Sequence, residues 1–169
     1  MSRDFQRQRV YDAEHLLAHL YDTAVEIGNP VITVGGVTLT LPPEAKFGSV
    51  ESVQSYVDRV LALPSLAHHS RAGIPVTVRA RSGDRKAHYE NARAIIAVPD
   101  GRNRWAMREL VILHELAHHL AWGDHHGPRF VIAYLDLLGA VLGPEAELAQ
   151  RILFDDHEVS YKVKEVCHV

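Results

Sequence analysis

Hydrophobic positions along this chain fall into short runs whose spacing changes from one to the next. From about Phe5 to Ile27 the apolar residues Val10, Leu16, Leu17, Leu20, Ala24 and Ile27 recur at helical spacing, and Gly28-Asn29-Pro30 supplies a stop. Val31 to Val34 and Val37 to Leu41 flank Gly35-Gly36, a pair suited to a tight hairpin turn at positive φ. Ser49 is placed to cap a second helix from about Val50 to Leu63, which Pro64 ends.

Pro75 to Arg81 alternates Val76, Val78 and Ala80 with polar residues, as a half-buried strand does. After the turn signal Ser82-Gly83-Asp84, a second strand ends in Ala94 to Val98, apolar throughout and so suited to a sheet interior. A strongly apolar helix is expected from about Asn103 to Trp122, with Gly123 as its stop. Pro128 suits the first turn of a helix reaching about Leu142, and a shorter helix follows near Glu145 to Phe154. The tail from Val159 to Val166 has a faint strand pattern. These elements predict an α+β fold, one domain over residues 1–169, with a small β-sheet packed against a central helix and further helices around it.

Composition narrows the class without naming a function. At 169 residues, 47% hydrophobic and 23% charged, the chain resembles an ordinary globular domain. The basic start, with Arg3, Arg7 and Arg9, does not read as a secretory signal, and no apolar run approaches the roughly 18 residues of a membrane span. Cys167 is the only cysteine, so no intrachain disulfide is possible and a cytoplasmic setting is expected. The net charge is −3, but residues 71–108 carry a local excess of +6, expected to be a solvated face of a hairpin and alternatively a surface for an acidic partner such as nucleic acid.

Histidine changes the picture. There are twelve, and five fall between positions 114 and 126. In His114-Glu115-Leu116-Ala117-His118 the two histidines are four apart, so on a helix they project from one face and can occupy two corners of a zinc ion's tetrahedron. Glu115 lies about 100° round the helix from His114, placed to flank the metal and take a proton from its water. The flanking Leu110-Val111-Ile112-Leu113 implies burial, where two bare imidazoles would need partners and one zinc ion would satisfy both. A third ligand is expected from Asp124, His125 or His126, just past the turn at Gly123, and spacing tolerates both histidines. His119, about 140° round from His114, is expected at the surface or boundary, and His68-His69 in a solvent-facing loop. Trp105 and Trp122 are expected as core or boundary aromatics, and Tyr134, Tyr161 and Arg129 are candidates for stabilising an oxyanion.

The run from His114 to His118, followed by His126-Gly127-Pro128-Arg129-Phe130, resembles the SprT-like and Spartan-type zinc metalloproteases. That resemblance implies a zincin-like fold with His114, His118 and His126 as ligands of one Zn2+ and Glu115 as catalytic base. It further implies a turn at Gly127 and Phe130 packed under the site. The gap between His118 and His126 is short for those families. The opening from Arg3 to Tyr11, the length and the motif region together resemble a family of small actinobacterial-type H-E-x-x-H metallohydrolases, which implies the metal site without a substrate. The expected function is a zinc-dependent hydrolase, foremost a metallopeptidase acting on a peptide or protein. The alternatives are a metal-dependent single-strand endoribonuclease and a non-catalytic zinc-stabilised module whose fourth coordination position is filled, for example by both His125 and His126.

Overall fold

A computed structural model describes residues 4–82, 86–99 and 107–161. In chain order the elements are α1 (Arg7–Ile27), β1 (Val31–Val34), β2 (Val37–Thr40), α2 (Val50–Leu61), a 3-10 turn (Pro64–Leu66), β3 (Thr77–Arg81), β4 (His88–Glu90), β5 (Ile95–Pro99), α3 (Glu109–Leu120), α4 (Pro128–Val141) and α5 (Pro144–Asp156). This is the expected α+β class, with five helices and two small sheets among the described residues. No helix among them is long and apolar enough to cross a membrane.

Local chemistry accounts for most boundaries. Gly35 and Gly36 take φ of 55° and 76°, the left-handed pair that a two-residue hairpin turn requires, and β1 pairs with β2 in antiparallel register from Val31↔Thr40 to Val34↔Val37. Ser49 begins α2 in a reciprocal capping box with Ser52, each side chain accepting the other residue's backbone N–H.

Two regions depart from the expected pattern. Where the sequence suggested one strand after the Ser82 turn, there are two, because residues 91–94 turn the chain back and Ala94 adopts a left-handed φ of 52°. The resulting sheet has the order β3-β5-β4, with β5 parallel to β3 and antiparallel to β4. The apolar run is therefore the interior strand, as its composition implied. Among the described residues, the basic span is not one solvated hairpin face. Arg79 pairs with Glu90, the Arg71 Nε–H donates to the His119 carbonyl, and Arg108 is buried.

The central helix also starts later than Asn103. Residues 107–109 are held against 45–47: Phe47 donates to the Met107 carbonyl, Glu109 to the Ala45 carbonyl, and Lys46 and Arg108 form an isolated antiparallel bridge. The buried Arg108 guanidinium spans Glu44 at 2.6 Å and Asp22 at 3.1 Å. One Glu44 oxygen also accepts the Leu110 N–H at 3.2 Å, placing negative charge at the positive end of α3. Residues 103–106, with Trp105, lie outside the described residues, as does most of the tail strand expected from Val159.

The core runs through α3. Leu110, Ile112, Leu113, Leu116, Ala117 and Leu120 are all buried, so this helix has almost no solvent face. It packs on α4, β4 and α2, while α4 packs on α5 and α5 on α1 and the hairpin. Each fully buried leucine or isoleucine contributes about 1.5–3 kcal/mol. A helix so enclosed can hold polar side chains only where each has a partner.

Candidate metal centre

Helix α3 delivers His114 and His118 one turn apart. The third histidine arrives through a tight connection into α4. Asp124 turns back so that its Oδ2 accepts the backbone N–H groups of Arg129 at 2.8 Å and Phe130 at 3.2 Å, capping the start of α4. A Cβ on residue 127 would lie 2.6 Å from that same Asp124 oxygen, so a side chain there would displace the capping carboxylate. The His126 carbonyl is tied to the N-terminal segment by the Gln6 side-chain amide, 2.7 Å away. As a result His114, His118 and His126 each place a ring nitrogen within 4.8 Å of the other two, a group that could hold a metal ion. His125 is exposed at a left-handed φ of 51° and stands outside that group, while Asp124 is committed to the cap. Of the three residues that spacing allowed as a third ligand, His126 is the one brought to the pair.

The donor set fits a cation. The His114 Nδ1–H donates to Glu14, 2.8 Å away, and the His126 Nδ1–H donates to Asp4 at 2.7 Å. Each imidazole thereby presents an Nε2 lone pair. The Nε2 atoms of His114 and His118 lie 3.2 Å apart, and zinc–nitrogen bonds at tetrahedral angles would set neighbouring nitrogens about 3.3 Å apart. The Nε2 of His126 is buried and has no hydrogen-bond partner. Phe130 is fully buried and its ring centroid lies within 4.5–4.9 Å of all three imidazole centroids.

Charge follows from these contacts. Burial, with help from the neighbouring imidazoles, pushes the pKa of His118 down to about 2, so it offers a lone pair rather than a proton. Burial also lowers His126, with Asp4 opposing. For His114 burial pulls downward, but the charge and hydrogen bond of Glu14 prevail and the pKa is raised. The carboxylate that favours a proton on this ring favours a metal cation on it equally.

Glu115 is buried beside the trio. Burial raises its carboxyl above the usual range, while His114 and a hydrogen bond from the Tyr89 backbone N–H oppose the shift. It lies where two cavities meet, one of about 550 Å³ on the α1 side and one of about 330 Å³ on the β4 side, and Tyr11, Arg7, Lys86 and Ala87 also line both. The Tyr11 ring sits 5.3 Å from His114 and 5.1 Å from His126. Its hydroxyl is raised in pKa by burial and by the Glu115 and Glu14 charges, with a hydrogen bond from Arg7 opposing, so it holds its proton at neutral pH.

Several residues of the site were not expected there from the sequence. Asp4, Gln6, Tyr11 and Glu14 all come from the first fifteen positions, at least 100 residues from the histidines they touch. Glu14 did leave a signal, because it lies on the stripe marked by buried Val10, Leu17, Ala18 and Tyr21.

Other expectations are corrected. His119 is not at the surface but fully buried, with Nδ1 on the Tyr89 hydroxyl at 2.8 Å and Nε2 on the Arg71 and Ile74 carbonyls. Its face is covered by β4 and the loop before β3, which single-helix geometry could not reveal. Of the oxyanion candidates, Tyr134 lines the larger cavity, Tyr161 is bonded to Asp155, and the exposed Arg129 lies beside Asp124. Trp122 is half exposed against Arg71, at the boundary. His68 is exposed as expected, but His69 is mostly covered. In comparisons with known proteins, no family model matches this chain, and neither a curated protein nor a solved structure does.

Proposed function

We propose that this chain is a zinc-dependent hydrolase of zincin-like architecture, and specifically a metallopeptidase. The observation that carries the proposal is the convergence of three imidazole nitrogens, one of them buried without a partner, beside a buried carboxylate at the meeting of two cavities. The resemblance of the motif region to SprT-like proteases adds to it. Zinc, when bound, supplies a Lewis acid that polarises a carbonyl and brings the pKa of water towards neutrality.

The chain's own groups do the rest. His114, His118 and His126 hold the ion, with Glu14 and Asp4 fixing the tautomers of two of them. Glu115 accepts a proton from the attacking water and returns it to the leaving nitrogen, a task suited to a carboxyl whose pKa burial has raised. Tyr11 donates its hydroxyl to the oxygen on which negative charge develops.

A peptide is favoured by the position of β4. It is an outer strand of its sheet, and its Tyr89 backbone lies close enough to Glu115 to lower that carboxyl's pKa. His88 and Tyr89 of this outer strand line the smaller cavity, where an extended peptide can pair with it. The endoribonuclease alternative rests on the cations Arg7, Arg81 and Lys86 that line that same cavity. The closed structural module is disfavoured because His125 stands away from the ligand group.

The test is Glu115→Gln. The variant is expected to bind zinc with unchanged stoichiometry and to lose about 10²–10⁴-fold of its peptidase activity, the range of general-base contributions. Full activity in this variant overturns the mechanism. Chelator-sensitive cleavage of single-stranded RNA without cleavage of casein-type substrates moves the assignment to the nuclease.

A further inference from the structure

A second group of metal-ligating side chains lies outside the centre described above. His68 and His69 follow the 3-10 turn, and Asp136 projects from α4. The three ligand atoms lie within 4.8 Å of one another. Both imidazoles turn to the same side, with ring centroids 4.1 Å apart, which adjacent residues achieve in a tight turn and not in a strand. Their Nε2 atoms converge on one carboxylate oxygen, His68 at 3.1 Å and His69 at 3.0 Å from Asp136 Oδ2.

The arrangement around His68 calls for a positive charge on its Nε2 side, which either a ring proton or a metal ion supplies. Its Nδ1 lies 3.0 Å from the Ser65 carbonyl, so that nitrogen carries the ring proton and donates it. The Nε2 of His68 then faces a carboxylate oxygen that is itself only an acceptor. Two acceptors 3.1 Å apart repel unless a positive charge lies between them. An imidazole oriented by a backbone carbonyl, with its second nitrogen beside a carboxylate oxygen, is how a metal-binding histidine is held ready. The separations also suit one ion, since bonds of about 2.0–2.2 Å at tetrahedral angles leave neighbouring donors about 3.3 Å apart.

We infer that His68, His69 and Asp136 form a second divalent transition-metal site, with two imidazoles and one carboxylate as protein ligands and the remaining positions open to water. Zinc, nickel and cobalt all suit that donor set. The ion clips the turn carrying His68 and His69 onto α4, the helix whose Phe130 and Tyr134 pack beneath the buried histidines. The site stabilises that packing rather than touching substrate.

The experiment uses the full chain, stripped with chelator and titrated with Zn2+ while bound metal and the thermal midpoint are recorded. Wild type is expected to bind two equivalents. His68→Gln, at an exposed position, and Asp136→Asn, close to isosteric, are each expected to bind one. His118→Gln is expected to lose the other equivalent. Saturation of the second site raises the midpoint by on the order of 2–4 °C, an increment that His118→Gln keeps and Asp136→Asn loses. One equivalent in wild type, lost in His118→Gln and kept in both His68→Gln and Asp136→Asn, overturns the second site and leaves the first intact; the pair is then an imidazolium ion pair. One equivalent lost only in Asp136→Asn and His68→Gln overturns the buried centre instead, and no bound zinc overturns both.

Discussion

Helices α3 and α1 both contribute to the buried centre, and they contribute different things. From α3 come two of the three candidate ligands and the carboxylate proposed to carry the proton, held within two turns of one helix. From α1 and the residues just before it come no ligands, but the carboxylates of Glu14 and Asp4 that aim two imidazoles, and the Tyr11 ring laid against them. The first set is written in four-residue spacing. The second is assembled over separations of 100 and 122 residues. The identity of the candidate ligands is thus a local property of this chain, while their orientation is a property of its tertiary packing.

The sharpest way to test that division is to remove a ligand. His126→Ala is expected to reduce zinc affinity at the buried centre by well over the roughly 100-fold that loss of an outer partner costs. His125→Ala, one position away and exposed, is expected to leave affinity within about 2-fold, within the ordinary scatter of surface substitutions. Calorimetric titration of both variants reads the difference directly. The opposite ranking would transfer the third ligand to His125, and a large loss in both variants would revive the closed structural module.

Next in size is Tyr11→Phe, which keeps the ring against His114 and His126 and removes only the hydroxyl. If α1 supplies a group to the reaction as well as to the ligands, kcat falls by about 10²-fold, the lower range for losing one oxyanion donor, with zinc affinity unchanged. A fall in zinc affinity with unaltered kcat would reduce Tyr11 to a packing residue. Both quantities are measurable on one preparation.

The same division explains what the sequence disclosed. The Gly35-Gly36 turn, the Ser49 cap and the start of α4 at Pro128 follow from interactions within a few residues, and each lies where spacing put it. The histidine pair belongs to this class. The late start of α3 depends on a clamp from residues 44–47 and on a buried Arg108 paired to Glu44 and Asp22, none of which apolar periodicity registers. The division of one expected strand into β4 and β5 depends on a left-handed φ at Ala94, a position with no glycine or asparagine to announce it. His119 misled for a related reason, since position on a helix says which way a side chain points and not what covers it. Glu14 was the one long-range partner with a local trace, an acid set among the buried positions of an amphipathic helix.

That trace can be tested by the mildest substitution. Glu14→Gln keeps the size of the side chain and an oxygen able to accept from His114 Nδ1, and removes the charge. If α1 acts by holding the tautomer and by electrostatic support of a bound cation, the geometry survives and zinc affinity falls by about 10–100-fold. Asp4→Asn is expected to act in the same direction through His126, with a smaller effect because Asp4 is more exposed than Glu14 and its charge is better screened. Asp12→Asn supplies the control, since it removes the same charge from the exposed face of the same helix. Affinity falling equally in Asp12→Asn would mean that the effect is one of net charge, and the assignment of α1 as the element that aims the ligands would fail. A loss confined to Glu14 and Asp4, diminishing little as salt is raised, is what direct hydrogen-bonded contact predicts, because buried pairs are screened far less than surface ones.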